Sequence, residues 1–550
     1  MRLALLSLAV LATVACQPRQ QAATPAGGNA ATTATSETAK PAAFAFDEAD
    51  IAGLQARMGR GDLTSHALTQ AYLDRIAAID KAGPQLNSII ELNPDALKEA
   101  DALDAERKAG KLRGPLHGLP VLIKDNVDVA GLVNSAGSLA LADHRPKQDA
   151  FLVTRLRGFG AVILGKTNLS EWANFRSNNS SSGWSSRGGQ TKNPYALDRN
   201  PCGSSSGTGS AIAASLAAFG VGTETDGSII CPSAVNGLVG LKPTVGLVSR
   251  THIVPISHSQ DTAGPMTATV MENAQLLTVI AGSDPADPAT RDADKHKRDY
   301  AASLDANSLR GKRIGVMRFA SGFRTNEPFE RALAVLKAQG ATLVELKKFD
   351  EKDMGPNEFK VLLMEFKSGL ADYLKSSPAP LQVRSLADVI AFNKAHAAQE
   401  MPLFGQDIFE KAEATKGTDD PGYKKARARS LELAGIQGID RLLMENRLDA
   451  LVGPTMPPAW KIDAVNGDQS SGGGAGSLAA VAGYPHLTVP MGLVKGLPVG
   501  LSFIGPKWSD ALMLSLGYAY EQARGLLPAP TFIPTIEMSP EIAPALEPAH

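Results

Sequence analysis

Two serine clusters that lie close together in the chain carry hydroxyl groups that could act as nucleophiles. Positions 204–206 are three consecutive serines, and Ser228 follows Asp226 and Gly227 further along. Glycines beside both clusters predict tight turns, whose backbone N–H groups can stabilise an oxyanion that develops on a substrate. A serine hydroxyl becomes a good nucleophile only when a proton acceptor lies within hydrogen-bond reach. This part of the chain offers no obvious base, so the base must come from elsewhere.

Lys124 is a candidate for that base. Positions 118–126 read GLPVLIKDN, and the short apolar run after Gly and Pro predicts a buried strand that ends at the lysine. The unperturbed pKa of lysine is about 10.4, so the side chain accepts a proton near neutral pH only where burial lowers that pKa. A surface lysine at a strand end is the ordinary alternative. The residues around Lys124 leave both interpretations open.

Positions 160–167, GAVILGKT, match the pattern of a nucleotide-binding P-loop. In a P-loop the strand precedes the first glycine, and the four variable residues cradle the phosphates. Here residues 161–164 are themselves typical of a strand, and residues 152–159 are typical of a helix. We therefore reject a nucleotide site at this position.

Positions 203–207, GSSSG, match the GxSxG nucleophile elbow of Ser-His-Asp hydrolases. That elbow requires a strand before it, whereas residues 193–201 are polar and rich in turn formers. Three histidines are available to complete such a triad, and nothing in their surroundings marks one of them: His252, His258 and His486. The residues therefore argue against a Ser-His-Asp site.

The composition limits the kinds of protein that fit. The chain has 550 residues, 43% of them hydrophobic, which is enough for a large core. A net charge of -1 and the lack of a strongly basic patch exclude nucleic acid as an expected partner. The cysteines, Cys16, Cys202 and Cys231, are too few for a disulfide scaffold and form no zinc-site spacing. Cys202 and Cys231 either form one disulfide or remain two buried thiols.

The N-terminus is typical of a targeting segment. An arginine followed by a mainly apolar run too short to span a bilayer predicts a signal peptide at 1–15 and export to the periplasm. Residues 13–16, TVAC, resemble a bacterial lipobox with Thr where Leu is usual, which makes Cys16 the expected lipid anchor and the only membrane attachment. Cleavage near Ala15 as an ordinary signal peptide is the alternative. Residues 16–43 are expected to form a disordered tether.

Hydrophobic periodicity predicts both helices and strands in the rest of the chain. Residues 63–80 predict a helix with Thr64 as its N-cap, and the small residues at 210–219 predict a closely packed helix. Residues from about 350 to 446 are more charged and predict a helical excursion that covers the core. The other predicted elements are a βαβ unit at 312–319, 327–339 and 341–347, strands at 450–452, 487–490 and 499–504, and a Pro-rich C-terminal tail at 531–550.

Taken in order, these segments resemble the amidase signature family. The resemblance covers residues 44–530, and it implies one large α/β catalytic domain with a central mixed twisted β-sheet covered by helices on both faces. The P-loop pattern and the GxSxG pattern, which were rejected above, lie within the sequence strings on which this resemblance rests. Those strings are VLIKDN around Lys124, GAVILGKTNLSEWA from Gly160, the serine clusters, VGLKPTVGLVSR from Val239, LVGPTMPPAW from Leu451 and GLPVGLSFIG from Gly496.

The resemblance also implies a Ser-Ser-Lys triad. The family's nucleophile falls on Ser228, its bridging serine on Ser204 and its base on Lys124, and the separation of the two serines, 228 − 204 = 24, matches the family's. The bridging serine is expected to follow a cis peptide bond, and no metal or organic cofactor is implied. The implied oxyanion hole consists of the backbone N–H groups of Thr225, Asp226, Gly227 and Ser228.

Several residues depart from the usual family pattern. Asp226 replaces a glycine, Glu224 replaces an aspartate, and Ile230 replaces an arginine, while the cysteines at 202 and 231 replace a glycine and an aliphatic residue. The strings NPCGSSSG and TETDGSI, with CP following, resemble one branch, the bacterial peptide amidases, which remove the amide from the C-terminus of peptides. If the carboxylate of Asp226 or of Glu224 faces the pocket, it repels a substrate's free C-terminal carboxylate. The alternative is that Asp226 only supports its turn.

The resulting expectation is a monomeric amidase that converts carboxylic amides to acid and ammonia, acting on C-terminal amides of peptides. Ser204 would relay a proton between Ser228 and Lys124, and an acyl-enzyme would form on Ser228. One alternative is an amidase for small aryl or alkyl amides. Another, from a different class, is a non-catalytic lipoprotein that binds amides.

Overall fold

The computed structural model describes residues 44–46, 50–349, 352–377 and 379–548, which belong to one compact unit. The predicted signal peptide at 1–15, the tether at 16–43 and Cys16 lie outside the described residues. Within the described ranges, no helix has both the length and the apolar character needed to cross a membrane.

Strands of the described residues form an eleven-stranded mixed sheet and a separate two-stranded ribbon. In chain order the strands are β1 (Ile89–Leu92), β2 (Pro120–Lys124), β3 (Val162–Thr167), β4 (Trp184–Ser185), β5 (Gly189–Gln190), β6 (Phe219–Glu224), β7 (Val239–Lys242), β8 (Thr262–Thr267), β9 (Arg313–Met317), β10 (Thr342–Leu346), β11 (Ala450–Pro454), β12 (His486–Val494) and β13 (Leu497–Ile504). The order in the large sheet is β1-β3-β2-β6-β8-β7-β12-β13-β11-β9-β10, and β4 pairs with β5 in the ribbon.

Helices flank this sheet, which gives the single α/β domain that the sequence predicted. They are α1 (Ile51–Arg60), α2 (Ser65–Arg75), α3 (Ala96–Lys108), α4 (Phe151–Gly158), α5 (Ser206–Ala213), α6 (Ile230–Val235), α7 (Val270–Ile280), α8 (Ala293–His296), α9 (Asn326–Ala338), α10 (Met354–Ser376), α11 (Leu386–Ala395), α12 (Ala397–Glu400), α13 (Asp407–Glu413), α14 (Tyr423–Leu431), α15 (Arg441–Asn446), α16 (Leu478–Ala482), α17 (Asp510–Arg524) and α18 (Ala543–Leu546). Two π-helical turns, Ile76–Asp80 and Glu432–Asp440, extend α2 and join α14 to α15.

The centre of the sheet determines where the functional side chains lie. Strand β2 pairs in parallel with β3 on one side and with β6 on the other, with Ile123 opposite Val221 of β6. Every residue of these three strands is buried, as expected for parallel strands covered on both faces. Because parallel strands point the same way, the carboxyl ends of β2 and β6 meet at one edge. Lys124 and Glu224 are the last residues of these two strands.

Most predicted elements are present. Thr64 caps α2 by accepting a hydrogen bond from the backbone of Ala67, and β9, α9 and β10 form the predicted parallel βαβ unit. The excursion at 350–446 is helical, from α10 to α15. The P-loop string follows α4 and forms β3 instead of a phosphate loop, which agrees with its rejection.

The predicted helix at 210–219 is wrong in its extent. Helix α5 begins earlier, at Ser206, and ends at Ala213, while residue 219 already begins β6. Ser215 adopts a left-handed conformation with φ of 55°, which ends the helical path before the strand. A run of small residues has no clear periodicity, so the sequence did not distinguish the end of the helix from the start of a buried strand.

Candidate active site

Lys124 lies at the end of β2, and its side chain is completely buried. Its Nζ donates hydrogen bonds to Oγ of Ser204 at 2.7 Å, and to Oγ1 and the carbonyl oxygen of Thr223 at 2.9 and 3.2 Å. Burial lowers the pKa of Lys124 to about 7, although the negative charges of Glu224 and Asp261 oppose this shift. A lysine with this pKa is partly neutral at neutral pH and can accept a proton.

Ser204 lies in the loop that leads into α5 and is fully buried. The peptide bond between Gly203 and Ser204 is cis, which confirms the expectation from the family resemblance. A side chain at position 203 would collide with Oγ of Ser170, so this position requires glycine. The carbonyl oxygen of Ser204 accepts a hydrogen bond from the backbone of Ser170 at 3.1 Å. The loop is thus fixed with the Ser204 hydroxyl facing Lys124.

Ser228 lies in the turn between β6 and α6. Gly227 gives this turn its left-handed residue, with φ of 81°, a conformation that glycine adopts without strain. The carbonyl oxygen of Ser228 accepts a hydrogen bond from the backbone N–H of Ser205 at 3.1 Å, so the two serine clusters adjoin each other. Ser204 and Ser228 line the same cavity. Within the described part of the chain, the Ser228 hydroxyl has no hydrogen-bond partner, so no hydrogen bond joins it to Ser204.

The turn at 225–228 keeps its own backbone N–H groups free. None of the four donates a hydrogen bond to any described residue. The turn is held from its ends instead, because Oε2 of Glu224 accepts from the backbone of Ile229 and Ile230 at 2.7 and 3.0 Å, and the carbonyl of Gly227 accepts from Cys231 at 2.9 Å. Free N–H groups on a rigid turn beside a serine hydroxyl are the arrangement that stabilises an oxyanion.

The cavity beside these serines has a volume of about 550 Å³. One part of its lining is apolar and consists of residues 253–256 together with Ala173 and Tyr373. Arg250 also lines the cavity, but Asp287 neutralises it through Nε–Oδ2 and Nη2–Oδ1 contacts of 2.8 and 2.6 Å. A cavity of this size accommodates a small molecule or part of a short peptide.

A family model for amidases matches residues 67–514, which is most of the chain. The chain belongs to the amidase family. Its resemblance to the amidase signature family is therefore confirmed, and the protein is a hydrolase that acts on amide bonds.

Individual relatives agree with this assignment. A probable amidase of Arabidopsis thaliana is 39% identical over 505 residues, covering 89% of this chain and 93% of that protein. The crystal structure of an amidase family protein from Bacillus anthracis has a TM-score of 0.80 and 37% identity, covering 88% of this chain and 92% of that one. The X-ray structure of the native peptide amidase from Stenotrophomonas maltophilia has a TM-score of 0.85 and 54% identity, covering 89% of this chain and all of that one.

Among the described residues of the amidase, no histidine forms a hydrogen bond with Ser204 or Ser228. Nε2 of His486 lies 2.6 Å from Oγ of Ser502, buried in the sheet. His258 and His252 line the cavity, but their contacts are with other side chains: His258 with Tyr423 at 3.1 Å, and His252 with Asp128 at 3.7 Å. These contacts agree with the rejection of a Ser-His-Asp site.

Asp226 lies at the oxyanion turn without lining the cavity. Its side chain interacts with Ser477 and with Glu358 of α10. Burial and the negative charge of Asp226 raise the pKa of Glu358 to about 8. Glu224, the other acidic residue shortly before Ser228, does line the cavity. Its side chain is buried and contacts the turn. Asp226 is exposed and lies outside the cavity lining, which argues against repulsion of a bound carboxylate by this side chain.

Cys202 and Cys231 form a disulfide in this amidase, with a Cα–Cα distance of 6.0 Å. Cys202 lies two residues before Ser204, and Cys231 lies three residues after Ser228, so the bond links the two serine loops. Both cysteines are buried against Val235 and Trp460. Of the two alternatives that the sequence left open, the disulfide is the one present.

Two further side chains, Thr223 and Asp261, support the site, and their contacts were not predicted from the sequence. Thr223 receives hydrogen bonds from Lys124 and from Asn126. Asp261 binds the turn through Oγ1 of Thr225 at 2.5 Å and accepts from the backbone at 256 and 257 through its other oxygen. Burial raises the pKa of Asp261 to about 6. Among the side chains that support the turn, only Glu224 was indicated by the sequence, through its position four residues before Ser228.

Proposed function

We propose that this amidase hydrolyses the C-terminal amide of peptides, with Lys124, Ser204 and Ser228 as its catalytic triad. The observation that carries the triad is the 2.7 Å hydrogen bond from Nζ of Lys124 to Oγ of Ser204. It joins a fully buried lysine of lowered pKa to a serine that shares a cavity with Ser228. This supplies what a weak serine nucleophile needs, namely a nearby base and a hydroxyl that relays the proton.

In the proposed reaction, Oγ of Ser228 attacks the carbonyl carbon of the amide. Its proton passes to Ser204, whose own proton passes to the neutral Lys124. The N–H groups at 225–228 stabilise the oxyanion of the tetrahedral intermediate. The lysine then returns the proton through Ser204 to the departing NH2 group, and ammonia leaves. Water attacks the acyl ester on Ser228 by the same proton path and releases the acid.

Three observations support peptide amides as the substrates. The chain is 54% identical to a peptide amidase over 89% of its length. A second structure of that enzyme, with the same identity, contains the competitive inhibitor chymostatin. The cavity of this chain, about 550 Å³ with an apolar wall, has room for more than the small amide group itself. Small aryl and alkyl amides are the alternative substrates.

Ammonia release from a panel of amides tests this proposal. The panel contains N-acetyl dipeptide amides, the same dipeptides as free acids, an internal peptide bond in a longer peptide, and benzamide. We expect ammonia from the peptide amides with higher kcat/KM than from benzamide. We expect no cleavage of the internal bond, which would release a new amino terminus instead of ammonia and is followed by chromatography of the peptide. The Ser228→Ala variant controls for contaminating amidases. Higher kcat/KM for benzamide would replace the peptide-amide proposal with the small-amide alternative.

We also propose that the enzyme is an exported monomer, attached to the cell envelope through a lipid on Cys16. The export and the lipid anchor rest on the sequence of residues 1–43 alone. Fractionation of cells that express wild type and Cys16→Ser tests it. Wild type is expected with the membranes and the variant in the soluble periplasmic fraction, and an equal distribution of both would exclude the anchor.

A further inference from the structure

His252 is a polar cavity residue that the proposed triad does not use. It lines the same cavity as Ser204 and Ser228, and 24% of its side chain is exposed. No hydrogen bond from any described residue reaches Nε2 of its ring. The cavity therefore contains an imidazole nitrogen that is available to a ligand.

The contacts of His252 with Asp128 orient this nitrogen. The backbone N–H of Asp128 donates to the carbonyl oxygen of His252 at 2.9 Å, and Nδ1 of the ring lies 3.7 Å from Oδ2 of Asp128. Asp128 is itself buried, and its Oδ1 accepts from Tyr373 and Asn134 at 2.7 and 2.5 Å. With Nδ1 on the side of the carboxylate, Nε2 lies at the edge of the ring away from it.

The backbone of His252 is left-handed, in a turn closed by a hydrogen bond from the backbone N–H of Ile253 to the carbonyl oxygen of Arg250 at 3.1 Å. Its φ is 63°, in the left-handed region that costs a residue with a side chain about 1 kcal/mol or more and costs glycine little. The 3.7 Å separation from Asp128 is longer than a hydrogen bond. Residues with such a backbone conformation that face a cavity are frequently functional, which suggests a role for the His252 side chain.

We propose that Nε2 of His252 binds the substrate by accepting a hydrogen bond from a peptide N–H group. That group belongs to the peptide bond that joins the last residue, which carries the C-terminal amide, to the residue before it. In the tautomer that carries its proton on Nδ1, the ring nitrogen on the side of Asp128, the imidazole presents an acceptor at Nε2. A peptide amide has such an N–H group, whereas benzamide has only the amide that is hydrolysed. His252 would thus be a specificity-determining residue for peptide over simple amides. This inference rests on the proposed function.

The test compares His252→Gly and His252→Asn with wild type. Glycine relieves the left-handed strain, and asparagine tolerates that conformation while removing the ring. We expect both variants to raise KM for an N-acetyl dipeptide amide about two- to tenfold, as for the loss of one hydrogen bond, with KM for benzamide unchanged. We expect Tm of the glycine variant to equal or exceed that of wild type.

Lys495→Gly is the matched control, because Lys495 is also left-handed, with φ of 52°, and does not line the cavity. It is expected to leave both KM values unchanged. A substrate methylated on the proposed N–H group gives a second test that needs no folded variant. Methylation should raise KM for wild type and should add little in His252→Gly, because the same hydrogen bond is lost in both.

The outcomes separate the two proposals. Suppose that wild type hydrolyses peptide amides. If His252→Gly then has the wild-type KM for them, or raises KM equally for peptide amides and benzamide, the role of His252 is overturned and the proposed function stands. A lower Tm with unchanged KM would assign His252 to stability and also overturn the inference. If wild type hydrolyses benzamide but no peptide amide, the proposed function fails and the inference fails with it.

Discussion

Nζ of Lys124 and Oγ of Ser204 lie 2.7 Å apart in the interior of the amidase, 80 residues apart in the chain. No carboxylate forms a hydrogen bond or ion pair with this lysine in the described part of the chain. Its hydrogen-bond acceptors are two hydroxyl groups and one carbonyl. A buried lysine with neutral partners loses the hydration of its charged form without gaining an ion pair, which is the physical reason for its lowered pKa.

Replacing Lys124 by alanine should remove most of the activity while leaving the fold intact. Loss of a general base typically costs about 10²- to 10⁴-fold in rate. The measurement is kcat/KM for ammonia release, with circular dichroism to check folding. Lys147→Ala, at an exposed lysine outside the cavity, is the control. Near-normal turnover by Lys124→Ala would refute its assignment as the base.

The activity of wild type should rise with pH through an apparent pKa near 7. Lys124 accepts a proton only when it is neutral, and its pKa is about 7 in the folded enzyme. Protonation at lower pH removes the base, so kcat/KM should fall about tenfold per pH unit well below that pKa. The measurement is the pH profile of kcat/KM between pH 5 and 9, within the range where the protein stays folded. A profile that is flat from pH 5 to 8 would exclude this lysine as the base.

Glu224 should matter through the turn that it holds. Its Oε2 accepts two backbone hydrogen bonds, from Ile229 and Ile230, directly after Ser228. Glu224→Ala leaves those N–H groups without this acceptor, so we expect kcat to fall about tenfold or more with a smaller change in KM. Glu224→Gln keeps one oxygen acceptor and should retain more activity. If the alanine variant lost affinity without losing kcat, the residue would be part of the substrate pocket instead.

Asp226→Asn should leave product inhibition by free-acid peptides unchanged. The Asp226 side chain does not line the cavity and interacts with Ser477 and Glu358. Without the charge of Asp226, the pKa of Glu358 should move down from about 8, because a like charge no longer opposes its ionisation. The measurement is the inhibition constant of the acid product for both enzymes. Tighter product binding by the variant would restore the repulsion hypothesis.

Local patterns in the sequence predicted the elements that carry the candidate site, and the family resemblance selected Lys124, Ser204 and Ser228 among their residues. The apolar run before Lys124 predicted a buried strand, and β2 ends at that lysine. The two serine clusters adjoin through the hydrogen bond between Ser205 and Ser228. The family resemblance supplied the cis bond before Ser204, which no propensity or periodicity would have indicated.

The contacts that support the site were not predictable in the same way. Asp261 is 36 positions from Thr225, and it reaches that residue because β8 pairs antiparallel with β6. Thr223 contacts Lys124 because β2 and β6 are parallel neighbours. Such contacts follow from the order of strands in the sheet, which periodicity does not specify. The disulfide likewise depended on the distance between two loops, which is a property of the folded chain.

The central claim is that the substrate's acyl group becomes bonded to Ser228 before water releases it. Partitioning with hydroxylamine tests this directly, because hydroxylamine competes with water for an acyl-enzyme and yields a hydroxamic acid. For a peptide amide and the methyl ester of the same peptide, covalent catalysis through Ser228 predicts the same ratio of hydroxamate to acid, since both form one intermediate. Ser228→Ala should form neither product. Different ratios from the two substrates, or product formation by Ser228→Ala, would contradict the account.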